Sequence, residues 1–173
     1  MLSTPDQMQI SCLQLGYYLA SWGMLRGSSF LLSKSVKVYE RVIHAISDAD
    51  AEMWTIDAHI YTTPNIEKLL HFKQALTDAL PYKSGPSDTL TSKIMLGVFG
   101  NVPAFDTYFV KGFGVSTFGE KALRKISEFY TANRLIIDEH RCKTLDFGSG
   151  SWTERRYTRA KVIDMIFFIE GSK

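Results

Sequence analysis

Lys93 and Asp106 stand on either side of a Gly100-Asn101-Val102-Pro103 break, and both sit where a charged group can do chemistry. Lys93 opens the apolar run Ile94–Phe99. Desolvation there lowers an ammonium pKa toward the range in which the free amine is a nucleophile or Schiff-base former. A carboxylate beyond the turn can orient a water or stabilise a developing cation. The same two residues also have a plainer use. Lys93 can extend from the helix start into water, and Asp106 can cap the helix that follows.

Arg26 is the second candidate, placed between Gly23 and Gly27 and beside Trp22, Ser28 and Ser29. A guanidinium with neighbouring hydroxyls holds phosphate or carboxylate in a bidentate grip. Otherwise it pairs with an acidic side chain and closes the helix end. Trp22, Ser28 and Tyr108 complete the expected ligand site. Tyr17, Tyr18 and Trp22 recur at helical spacing, which suits core packing more often than a base-stacking platform. The third candidate is the cluster Arg155, Arg156, Arg159 and Lys161 with Trp152 and Tyr157 interleaved. Cations among aromatics can follow a nucleic-acid backbone; the simpler alternative is a solvated hairpin and helix face.

Other chemistries lack their residues. His44, His59, His71 and His140 show no HxH or HExxH spacing, and Cys12 and Cys142 stand alone, so no metal site and no disulfide framework is expected. No P-loop, dinucleotide fingerprint or Gly-x-Ser-x-Gly elbow occurs, and no cofactor is implied.

The elements that must position these residues read as helices. Thr4, Pro5 and Gln7 predict a capped start for a helix running to about Leu25, with apolar residues on nearly every face. Val38, Val42 and Ile46 repeat every four residues and predict an amphipathic helix over 36–46. The stretch DADAEMWTIDAHIY suits a short helix or irregular connection. Thr63 and Pro64 predict the next start, and Pro81–Pro86 is loop-like. The residues from Ser87 predict a buried helix and then, after the break, a second helical arm reaching Phe113. Thr117 and Glu120 predict a capping box for a helix extending to about Ile137. KTLDFGSGSWTERRY changes period and predicts a small β-hairpin. Thr158 begins a last helix, VIDMIFFIEG, apolar almost all round and expected to be buried in the core or against a second copy. The expected fold is therefore mainly α: one domain spanning 1–173, an orthogonal helical bundle with one small β-hairpin near the C-terminus.

Two resemblances bear on function. Thr89 to Lys93 and Pro103 to Thr107, PAFDT, resemble elements of the helix–hairpin–helix DNA glycosylases. That resemblance implies a catalytic Lys93 and Asp106, although DTLTSK has no glycine for that family's phosphate-gripping hairpin. LASWGMLRGSSFLL together with GNVPAFDTYF resembles an uncharacterised bacterial family of small helical proteins, which implies a helical fold and no particular activity.

Composition sets the outer bounds. At 173 residues the chain can bury a core without staples. Its net charge of +2 is lower than a duplex-coating protein usually carries, although patches can hide in a balanced total. No signal-like N-terminus and no apolar run of roughly 18 to 20 residues is seen, so no membrane partner and a cytoplasmic location are expected. Two classes of function remain open. One is a nucleic-acid-directed protein, a diverged glycosylase-like enzyme with Lys93 and Asp106 in a shared pocket. The other is a non-enzymatic interaction protein of a bacterial defence or toxin–antitoxin system. Nucleic acid and a homodimer through the C-terminal helix are the corresponding partners.

Overall fold

The computed structural model describes residues 5–81 and 86–173, and the expected Thr4 cap and most of the Pro81–Pro86 loop lie outside them. The described chain is mainly α, with helices α1 (Pro5–Ser21), α2 (Glu40–Ser47), α3 (Thr63–Ala79), α4 (Asp88–Val98), α5 (Thr107–Phe113), α6 (Glu120–Ala132), α7 (Arg134–Glu139) and α8 (Arg159–Ser172). A hairpin of β1 (Lys143–Leu145) and β2 (Trp152–Arg156) separates α7 from α8, with Leu145 paired to Trp152 and Lys143 to Arg156. No helix among the described residues is long and apolar enough to cross a membrane.

α4 is the innermost helix, packed between α1 and α3, and every residue from Leu90 to Leu96 is buried. Ser87 caps it by accepting the Leu90 N–H at 3.2 Å. The polar members of this run are satisfied from within: the Ser92 hydroxyl donates to the Asp88 carbonyl at 2.6 Å and accepts the Phe105 N–H at 2.8 Å. α1 buries Cys12, Leu15 and Leu19 but leaves Ile10, Leu13 and Tyr17 exposed, so it lies on the bundle surface and is not central as its composition suggests.

α4 and α5 do not form a packed pair. The connector between them, residues 99–106, instead passes through the interior with Asn101 to Asp106 all buried. Buried irregular backbone needs partners for its polar groups, and distant elements supply them. Tyr61 Oη donates to the Asn101 carbonyl at 2.5 Å, Thr89 Oγ1 donates to the Phe105 carbonyl at 2.7 Å, and the Asp164 carboxylate accepts the Ala104 N–H at 2.8 Å.

α5 leaves this connector and packs on α8 at backbone contact. A Cβ at Gly171 would lie 1.8 Å from the Tyr108 carbonyl oxygen, and one at Gly112 would lie 2.3 Å from that of Phe167. Only glycine permits such an approach. Phe167 fills the adjoining space, its ring 4.8 Å from Phe113 and 4.7 Å from Phe129.

Several expectations shift. α1 ends at Ser21, and the amphipathic 36–46 segment opens as a 3₁₀ turn, Val36–Tyr39, before α2 begins. Thr62 rather than Thr63 is the cap residue of α3, and the Thr117 capping box is absent because Gly119 precedes α6. The helix expected to reach Ile137 breaks at Asn133, whose side-chain amide donates to the Phe129 carbonyl at 2.9 Å. α8 is buried along one side only. Val162, Ile163 and Asp164 face the core, whereas Met165, Ile166, Phe168 and Ile169 reach the surface.

Candidate functional site

Lys93 and Asp106 face one cavity. Of about 370 Å³, it is lined by Trp22, Arg26, Lys93, Asp106, Tyr108 and Phe168 among others. α4 delivers Lys93 in its second turn, and the buried connector delivers Asp106 at the start of α5. The Lys93 ammonium lies 3.6 Å from Asp106 Oδ2 and donates to the Trp22 carbonyl at 2.9 Å. Its residue is 6% exposed, against 9% for Asp106.

Asp106 serves two purposes. Oδ1 accepts the Tyr108 and Phe109 N–H groups at 3.1 and 3.0 Å and so caps α5, while Oδ2 is the oxygen turned to Lys93. The cap foreseen for this residue thus uses one oxygen and leaves the other free to face the Lys93 ammonium. Lys93 does not extend into water; it is held inside. Burial pulls its pKa below the ordinary lysine value, the nearby Arg26 charge adds slightly to that, and Asp106 and Asp164 oppose it. A partly desolvated amine beside a carboxylate is suited to proton exchange and to nucleophilic attack.

Arg26 lies at the cavity edge, where the chain turns through Gly23 (φ +70°) and Gly27 (φ +59°), both in the left-handed region that glycine favours. Its guanidinium folds back over Gly23. Among the described residues no carboxylate lies within 4.0 Å of it, so the reading in which Arg26 pairs with an acidic side chain does not hold. Ser28 lies on the other side of Arg26, in an adjoining cavity with Ser29 and Ser87 rather than in the Lys93 cavity.

Trp22 is the wall shared with a second cavity of about 330 Å³, whose lining includes Tyr18, Arg155, Arg156, Tyr157 and Lys161. The Lys161 ammonium lies 4.4 Å from the Trp22 ring centroid and the Lys93 ammonium 5.5 Å. Trp22 is therefore a cation–π partner inside the molecule more than an open platform. Tyr18 Oη donates to the Lys93 carbonyl at 3.0 Å, whereas Tyr17 is 80% exposed, contrary to the expectation that all three aromatics are core.

The third candidate cluster divides. Arg155 and Arg156 stay on the exposed hairpin, but Arg159 turns inward. Its guanidinium meets Asp138 at 2.8 Å and Asp57 at 3.4 Å, and its Nε donates to Tyr130 Oη at 3.0 Å. Arg159 is therefore part of a structural network and is corrected out of the nucleic-acid set. Lys161 is likewise paired, with Asp164 at 3.1 Å, and lines the cavity beside Trp22.

Asp164 is the residue that sequence reasoning missed. It is 3% exposed, with one oxygen on the Ala104 N–H and the other 3.1 Å from Lys161. Through Ala104 it fixes the connector that carries Asp106, and through Lys161 it holds a cation over the Trp22 ring. Burial raises its pKa, opposed by Lys161 and the Ala104 N–H. The available signal was a lone carboxylate within VIDMIFFI, since a buried charge needs a partner.

Among the described residues no three His, Cys, Asp or Glu side chains gather as metal ligands. No protein-family model, curated protein or solved structure matches this chain, so both resemblances rest on the quoted residues alone.

Proposed function

We propose that this chain is nucleic-acid-directed and that its Lys93–Asp106 cavity receives one unpaired sugar unit of the strand, with Arg26 on a phosphate. What supports the reading is the convergence on one aromatic-walled cavity of Lys93, Asp106 and Arg26, the last with no carboxylate within 4.0 Å among the described residues. Its size falls near the small end of the range for ligand sites. In this reading the neutral Lys93 amine adds to the open-chain aldehyde of an abasic sugar. Asp106 first takes a proton from the Lys93 ammonium to free that amine, then returns it to the carbinolamine hydroxyl, which leaves as water, and a protonated imine remains. Burial that lowers the Lys93 pKa favours the amine form.

Borohydride trapping on an abasic-site oligonucleotide tests this. Wild-type protein is expected to give a covalent protein–DNA adduct, and Lys93→Ala none. Lys93 is paired inside the protein, so the variant's melting curve must accompany the assay. An undiminished adduct from a folded Lys93→Ala protein, or none from the wild type, would remove Lys93 from any mechanism.

The exposed apolar side of α8 favours a second reading. Met165, Ile166, Phe168 and Ile169 reach solvent there. In that reading the protein is a non-enzymatic interaction component of a bacterial defence or toxin–antitoxin system, and α8 is its docking face, either on a partner or on a second copy. A homodimer would show a melting temperature that rises with protein concentration, because association adds stability by mass action.

A further inference from the structure

We infer that the β1–β2 hairpin is an arm that stacks the bases of a single nucleic-acid strand, with Phe147 and Trp152 as the stacking rings. The inference rests on the nucleic-acid reading above and adds to it a binding surface outside the Lys93 cavity. Three observations carry it. The first is that the arm exposes aromatic surface to solvent. Phe147 is 104% exposed at its tip, Trp152 is 67% exposed, and Tyr157 at its base is 40% exposed. Rings left in water gain nothing for the fold, whereas a flat π-face takes any base.

The second is charge. Residues 141–161 hold six Lys and Arg against two carboxylates, a net +4 where the whole chain has +2. Three of the six are compensated: Lys143 by Glu154 at 2.7 Å, Arg159 by Asp57 and Asp138, and Lys161 by Asp164. Arg141, Arg155 and Arg156 have no carboxylate within 4.0 Å among the described residues. Two of these are nonetheless held in position, because Arg141 Nε donates to the Tyr157 carbonyl and Arg156 Nη1 to that of Arg141, each at 2.7 Å. Guanidinium groups that are oriented and unpaired suit phosphates better than an apolar partner surface.

The third is continuity. Arg155 and Arg156 open onto the groove that ends at Trp22, and Trp22 also walls the Lys93 cavity. A strand stacked on the arm can therefore run along the groove toward that cavity. The tip is built to hold its shape, since Asp146 Oδ1 accepts both the Ser149 N–H and the Ser149 hydroxyl at 2.8 Å. Unpaired bases are preferred over a duplex because the exposed rings need free base faces.

Anisotropy of a labelled oligothymidylate, titrated against the full chain at several salt concentrations, tests the arm. Wild-type protein should bind, with log affinity falling linearly in log salt. Phe147→Ala with Trp152→Ala should weaken binding roughly tenfold or more at fixed salt and leave the salt slope unchanged. Arg155→Gln with Arg156→Gln should instead flatten the slope, by about 0.7 for each phosphate that is no longer neutralised. Both pairs lie on the surface, and circular dichroism confirms that the variants fold. Oligothymidylate binding that ignores the aromatic pair overturns the arm and leaves the nucleic-acid reading standing. No binding by the wild type at low salt overturns the arm, while the borohydride adduct on Lys93 still decides the cavity independently.

Discussion

Asp57 and Asp106 are two buried carboxylates built almost alike, at 5% and 9% exposure. Each caps a helix and each takes a cation from elsewhere in the chain. Asp57 accepts the Ala58 N–H at 2.7 Å and the Arg159 and Ala160 N–H groups at 2.9 Å each, with the Arg159 guanidinium at 3.4 Å. It caps α8 from a hundred residues away. Asp106 caps its own helix with one oxygen and turns the other to Lys93 and a cavity. The difference is what surrounds the second oxygen. At Asp57 both oxygens are taken up by backbone N–H groups, with the Arg159 guanidinium beside one of them. At Asp106 a single ammonium faces it, and the remaining space is open. The same residue type is thus a fastener in one place and a candidate reactive group in the other.

Stability measurements can break that comparison. Asp57→Ala leaves the Ala58, Arg159 and Ala160 N–H groups without their acceptor, while the Arg159 guanidinium keeps Asp138. It should cost about 3 to 5 kcal/mol, since each buried donor left unsatisfied costs roughly 1 to 3 kcal/mol. Asp106→Ala removes a cap worth about 1 kcal/mol and strands Lys93, whereas Asp106→Asn keeps an accepting oxygen for the cap. The expected order of loss in urea unfolding is Asp57→Ala, then Asp106→Ala, then Asp106→Asn. Equal losses for Asp57→Ala and Asp106→Ala would mean that Asp106 is as much a fastener as Asp57.

The smaller effect is in pH. Lys93 has a folded-state pKa below 10.5, so the unfolded chain binds more protons between that lowered value and 10.5. Its contribution to stability therefore rises with pH across that window and is lost as pH falls through the folded value. Asp164 has the opposite sign. Its folded pKa lies above 3.8, so its contribution is present below 3.8 and is lost as pH rises through the folded value. Subtracting the pH–stability curve of Lys93→Met from that of wild type isolates the first term. A difference that does not change on the alkaline side would show that Asp106 and Asp164 cancel the effect of burial on Lys93.

The helices were legible in the sequence because their signals are local. Ser87 ahead of a polar first turn, Pro64 at a helix start and Thr158 before the last helix depend only on nearby residues, and Ser87 and Thr158 do cap their helices. The hairpin was legible for the same reason: the change of period and the Gly148-Ser149-Gly150 tip lie within a few residues. Residue types on either side of one break made Lys93 and Asp106 candidates, but whether they share a cavity was left open by the sequence. Three further things needed the tertiary structure. The connector 99–106 looks like an ordinary turn in sequence, and its backbone can be buried because Tyr61, Thr89, Ser92, Thr158 and Asp164 bond to it from outside the connector. Arg159 carries the same signature as Arg155 and Arg156, and it leaves the surface because Asp57 and Asp138 are waiting inside. The apolar run of α8 implied burial on all sides, but helix geometry gives it one inner face. Gly112 and Gly171 bring α5 hard against that face, and nothing among the described residues covers all of the other. Caps, turns and periods belong to neighbours in the chain; partners for buried charge belong to neighbours in space, and a single sequence does not name them.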